Sequence, residues 1–173
     1  MGAETPRTNN DPAGDDGTFM SESAPMNRTL RMEIQSDPAE LKSVRVEVES
    51  FARALGMTEH AAGKVVLAMD EALTNIIRHA YDGAADRPIE IDLAVRDACL
   101  HVTLRDYGRQ APRATIHSRD LSDVRPGGLG VHIMTKCMDS VDYQPAPDGG
   151  TTLIMTKSLR DSDNERTNGP CHD

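Results

Sequence analysis

Polar and apolar residues alternate in "RTLRMEIQS", with Leu30, Met32 and Ile34 on one side. That period of two predicts a strand with a single buried face. The period then changes. Asp37 followed by Pro38 reads as an N-cap with proline at the first helical position. Leu41, Val44, Val48, Phe51 and Leu55 recur at helical spacing up to Gly56. Thr58 caps a second, longer helix expected to run to about Tyr81. "RPIEIDLAVRD" and "CLHVTLRDYG" read as two strands with a short turn near Asp97. Arg109 to Gly128 reads as a long polar loop. "GLGVHIMTKCM" reads as a helix, and "DSVDYQ" and "TTLIMTKSL" as strands joined at "PDGG". Strands linked by short turns pair antiparallel, and helices on one face complete a two-layer α/β sandwich.

The ends carry no such pattern. Residues 1–27 are rich in Gly, Pro, Asp, Asn and Ser, and 160–173 are similar, so both are expected to be disordered tails around a domain at 28–159. Of 173 residues, 38 % are hydrophobic but only 3 % aromatic, and Trp is absent, so the core must be aliphatic. The formal charge of −9 argues against a nucleic-acid partner, because an acidic chain repels phosphodiester backbones. A local pocket can still oppose that sign and take a nucleotide. The three cysteines are widely spaced, so neither a zinc site nor a disulfide framework follows, and Cys99 and Cys137 are expected as buried thiols. No stretch has the length and apolarity of a membrane span, and Pro6 departs from a myristoylation signal. A cytoplasmic protein with no membrane partner is expected.

Within the long helix, Glu71, Asn75 and His79 form one file at the edge of the apolar stripe of Val65, Met69, Ala72, Leu73 and Ile76. Residues four apart are offset by about 40° at 100° per residue, so Glu71 and Asn75 can face one cleft. Border positions of helices also hold polar residues with no further role, and His79 reads first as a packing or capping residue. A carboxylate can accept a proton from an attacking hydroxyl. An amide oxygen is a hard neutral ligand of the kind Mg²⁺ takes beside phosphates and water.

Two glycine motifs extend the set. Asp106 and Gly108 end a strand. The carboxylate can accept a hydrogen bond from an exocyclic amine such as N6 of adenine, and the missing Cβ of Gly108 lets backbone approach a flat ring. Asp-x-Gly is also an ordinary turn. Gly127, Gly128 and Gly130 stand where the loop becomes a helix, a setting in which backbone N–H groups and the helix dipole favour phosphate. No Lys-Ser/Thr follows, so this is not a P-loop. Arg125 lies just before the glycines and can reach a phosphate or remain solvated. Thr151 and Thr152 open the last strand, where a hydroxyl can support the carboxylate or its bridging water; threonine also favours strands for its own reasons.

Glu71-x-x-x-Asn75, Asp106-x-Gly108, Gly128-x-Gly130 and Gly150-Thr151 occur in that order. Together they resemble the N, G1, G2 and G3 boxes of the GHKL ATPase superfamily. "DEALTNIIRHAY" and "GGLGVHIM" look most like its anti-sigma factor serine-protein kinases of bacterial partner-switching systems. The resemblance covers about residues 28–159. It implies the Bergerat fold, a mixed, mostly antiparallel sheet with helices on one face and ATP between them under a lid. It also implies that Asn75 ligates Mg²⁺, Glu71 is the general base, Asp106 reads adenine beside Gly108, and Gly128 and Gly130 cradle phosphates. The implied substrate is a Ser or Thr of a STAS-type anti-anti-sigma protein. The implied client is a sigma factor or another client protein, and homodimers are common in the family. "RQAP" follows Gly108 where many members have a further glycine, and no phosphoacceptor helix precedes the domain, which disfavours a histidine kinase. The alternative is a nucleotide-binding module that sequesters a partner without catalysis.

Overall fold

The computed structural model describes residues 28–117 and 129–159. In chain order the elements are β1 (Thr29–Gln35), a 3-10 turn (Pro38–Glu40), α1 (Leu41–Ala54), α2 (Glu59–Asn75) and a π turn (Ile76–Ala80). Then come β2 (Pro88–Arg96), β3 (Cys99–Asp106), β4 (Ala114–His117), α3 (Leu129–Cys137), β5 (Ser140–Pro145) and β6 (Thr151–Ser158). The strands form one sheet in the order β1-β2-β3-β6-β5-β4. Every pairing between them is antiparallel.

The register explains the core. Ile91 pairs with Leu104, Leu93 with Val102, Val102 with Met155, and Met155 with Val141. Cross-strand partners share a face, so these side chains form one apolar surface. It joins Val48 of α1, Val65, Met69 and Leu73 of α2, and Met134 of α3 in a single buried cluster. Arg31, Glu33 and Glu90 alternate onto the other face and are exposed. Each fully buried Leu, Ile, Val or Met contributes roughly 1.5–3 kcal/mol, which is how an aliphatic core serves a chain with so few aromatics.

The predicted helix starts have local causes. Asp37 accepts from the Ala39 N–H at 2.9 Å, and Thr58 accepts from the Ala61 N–H at 3.2 Å. Gly56, at φ +87°, turns the chain between α1 and α2. Asp97 and Ala98, at φ +49° and +60°, make the tight β2–β3 turn.

Three expectations are corrected. The second helix does not run regularly to Tyr81: its α part ends at Asn75, and the Tyr81 N–H donates to the Ile76 carbonyl at 3.1 Å to close a π turn. His79 lies within that turn and is exposed. The segment expected as one long loop contains β4, an edge strand whose backbone pairs with Ser140–Tyr143 of β5. Cys137 is a buried free thiol, pushed up in pKa chiefly by burial, but Cys99, also buried, is disulfide-bonded. Among the described residues no helix is long and apolar enough to cross a membrane.

Candidate functional site

The site assembles where α2, α3 and the ends of β3 and β6 meet. Glu71 and Asn75 lie half-buried on the last turn of α2. Gly130, in the first turn of α3, faces both. A Cβ on Gly130 would stand 3.0 Å from Asn75 Nδ2, 3.0 Å from Glu71 Oε2 and 3.5 Å from Asn75 Oδ1. The file predicted on one helix and the glycine predicted at the start of another are therefore in contact, although 55 residues of sequence separate Asn75 from Gly130. Gly128, Gly127 and Arg125 lie outside the described residues.

The second part of the site is the end of β3. Asp106 sits on the inner face, in line with Leu104 and Val102, and is only 3 % exposed. Its Oδ1 accepts from the Gly108 N–H at 2.9 Å. Burial pushes its pKa up; the N–H groups of Gly108 and Thr151 and the charge of Arg105 oppose that without cancelling it. A buried carboxylate held by backbone donors is a fixed acceptor, suited to a ligand amine.

The demand on Gly108 is more local than its motif suggests. A Cβ there would meet the Ala80 carbonyl, with the carbonyl carbon at 2.6 Å and the Ala80 Cβ at 2.9 Å. The Arg109 N–H donates to the same carbonyl at 2.9 Å. Gly108 is therefore the point at which the strand end packs on the π turn that follows Asn75. This contact joins the two parts of the site. Ala80 closes the π turn that begins directly after Asn75.

Thr151 and Thr152 separate. Arg105 pairs with Thr152, which puts Thr152 on the outer face, whereas buried Thr151 shares the inner face with Asp106. The Thr151 hydroxyl accepts from the Ala111 N–H at 2.8 Å and so fixes the chain leaving β3. Thr151 is brought to Asp106; Thr152 is not.

Two residues have contacts that their sequence positions did not reveal. The buried Tyr81 hydroxyl donates to the Pro88 carbonyl at 2.5 Å and accepts from the Tyr107 N–H at 2.8 Å. It thus ties the π turn to the start of β2 and the end of β3. Gly150, at φ +69°, lies on the Asp106 peptide: a Cβ there would be 2.6 Å from the Asp106 carbonyl carbon and 2.6 Å from Tyr107 Cα. Its position after Gly149 in a turn gave only a bend; the close approach depends on a strand far away in sequence.

The donor set fits a magnesium ion carried by a nucleotide. Asn75 and Glu71 offer hard oxygens. Among the described residues no group of three or more His, Cys, Asp or Glu could hold a metal. An ion here would rely on phosphate oxygens and water with one or two protein oxygens, which is the usual habit of Mg²⁺.

Residues 34–157 match the family described as histidine kinase-like ATPase domain. The chain belongs to that family. Among histidine kinase-like ATPases it is similar to the anti-sigma F factor of Bacillus licheniformis, at 30% identity over 122 residues that span 68% of this chain and 84% of the relative. It is also similar to the serine-protein kinase RsbW of Halalkalibacterium halodurans, at 28% identity, spanning 82% of this chain and 90% of the relative. These matches place it in the anti-sigma branch of the family. A crystal structure of the RsbU and RsbW domains of a Mycobacterium tuberculosis protein shares the fold, with a TM-score of 0.55 at 15% identity. That likeness covers 76% of this chain and 32% of the other.

Proposed function

We propose that this histidine kinase-like ATPase is a protein serine/threonine kinase and anti-sigma-type regulator. In this reading it transfers the γ-phosphoryl group of ATP to a Ser or Thr of a STAS-type anti-anti-sigma partner. The unphosphorylated partner displaces a sigma factor client, phosphorylation releases the partner, and the working unit is a homodimer. The observation that carries the reading is the meeting of Gly130 with Glu71 and Asn75, which sets a glycine at a helix N-terminus against a carboxylate and an amide.

Each residue then has one task. Asp106 accepts the exocyclic amine of adenine. Asn75 offers its amide oxygen to Mg²⁺, which when bound neutralises charge on the phosphates. Gly130, with Gly128, leaves room for phosphate oxygens beside backbone N–H groups. Glu71 takes the proton of the attacking hydroxyl at a carboxylate oxygen. The hydroxyl oxygen bonds to the γ-phosphorus as the bond to the β–γ bridging oxygen breaks, and ADP leaves. Such a transfer asks mainly for positioning and charge stabilisation from the protein.

The test is incubation with Mg-ATP labelled at the γ-position and a STAS-domain protein encoded beside this one, followed by mapping of any labelled residue. A phosphoserine or phosphothreonine on the partner is expected. Bound ATP with no labelled protein would replace the kinase by a nucleotide-binding module that sequesters its partner. Phosphate release without labelled protein would make it an ATPase.

A further inference from the structure

Arg105 precedes the adenine-reading aspartate and has no part in the reactions above. The pleat of β3 sends it to the outer face, opposite Asp106, where it is expected to be a solvated cation. Instead its side chain is only 14% exposed. One guanidinium nitrogen, Nη1, donates to the Asp106 carbonyl and lies 3.5 Å from the Thr151 carbonyl. The other, Nη2, donates to the Gly149 carbonyl at 2.7 Å and to Asp148 Oδ1 at 2.6 Å. The guanidinium carbon lies 4.3 Å from the centre of the Tyr107 ring, and the Tyr107 hydroxyl donates to Glu90 at 2.5 Å.

These partners share one property. They flank the frame that holds Asp106: the N–H groups of Gly108 and Thr151 bond its carboxylate, and Gly150, between Gly149 and Thr151, lies on the Asp106 peptide. A guanidinium has five donors in a planar fork, and here that fork spans a strand end and a turn more than forty residues apart in sequence. Burying it is costly unless its donors are used, and they are used on carbonyls of this frame.

We propose that Arg105 is a positioning residue for purine selection: from the outer face it clamps the Asp148–Gly150 turn to the end of β3 and so fixes the carboxylate of Asp106 for an amine donor. This rests on the reading of Asp106 as the adenine acceptor. At the same position adenine presents an amine and guanine a carbonyl oxygen, so a rigid carboxylate accepts one and repels the other. A carboxylate free to shift loses that discrimination before it loses general binding.

The experiment compares the wild type, Arg105→Gln and Arg105→Lys by calorimetry with Mg-ATP, Mg-GTP and magnesium tripolyphosphate, with a thermal melt of each. The wild type is expected to prefer ATP. Arg105→Gln should shrink the ATP-to-GTP preference by about tenfold or more while leaving tripolyphosphate affinity unchanged. Arg105→Lys should fall between, because an ammonium keeps the charge but not the fork. It also carries the test if the glutamine variant does not fold. A lowered melting temperature with an unchanged ATP-to-GTP ratio would overturn the proposal, leaving Arg105 a turn staple. Equal losses for all three ligands would overturn it too. Failure of the underlying reading is visible separately, in a wild type that binds no nucleotide or does not prefer ATP, and it takes the proposal with it.

Discussion

Gly130 and Asn75 are in contact across two helices: a Cβ on Gly130 would lie 3.0 Å from Asn75 Nδ2. Its other close neighbour would be Glu71 Oε2, so both obstacles are ends of flexible side chains rather than backbone. Gly130→Ala should therefore fold, with the crowding offset by the roughly 1 kcal/mol by which alanine exceeds glycine in a helix. Phosphotransfer should drop by about tenfold or more, because displaced reacting groups are costly. A thermal melt beside a labelled-transfer assay checks this; full activity would show that the pair tolerates displacement.

Glu71 and Asn75 should fail differently. Glu71→Ala is expected to retain ATP affinity and lose transfer by about 10²–10⁴-fold, the range of a general base. Asn75→Ala should lose the Mg²⁺-dependent part of ATP binding as well. Equal transfer rates for Glu71→Ala and wild type would remove Glu71 from its role. An unchanged Mg²⁺ dependence would do the same for Asn75.

Two glycines should respond with opposite signs. Gly108→Ala drives a methyl into the backbone of Ala80, which cannot yield as a side chain does. A loss of about 1–3 kcal/mol is expected. Gly63 lies exposed in α2, and a Cβ there meets nothing within 4 Å. Gly63→Ala should gain up to about 1 kcal/mol from helix propensity and a less flexible unfolded chain. Denaturant melts of both variants check the pair.

Burial raises the pKa of Asp106 above the ordinary value of 3.8. The folded protein therefore binds this proton more tightly than the unfolded chain. Its contribution to stability declines as pH rises from the unfolded value through the raised folded one. The stability of the wild type relative to Asp106→Asn should fall across that window and then level off. Denaturant melts from pH 3 upward measure it; a relative stability that rises with pH would mean that the N–H groups of Gly108 and Thr151 outweigh burial.

Much of the fold was legible because its signals are local. Asp37 and Thr58 cap helices through donors two and three residues away. The inner face of β2 and β3 follows from alternation alone. The π turn was hidden, since Ile76–Ala80 keeps an apolar pattern that suits a regular helix. So was β4, which is short and gains its hydrogen bonds from β5 rather than from its own sequence.

The sequence by itself determined the residue types and their order: an acid and an amide one helical turn apart, an aspartate ending a strand, glycines at a helix start. Periodicity and capping act over a few residues, so the chain carries them without its fold. Only the tertiary structure decided which of these meet. It set Gly130 on Asn75, gave Gly108 and Gly150 their backbone neighbours, and separated Thr151 from Thr152 by sheet face. Those contacts depend on strand register and helix packing between distant segments, and a close approach of two backbones leaves no mark on either sequence except the absence of a side chain.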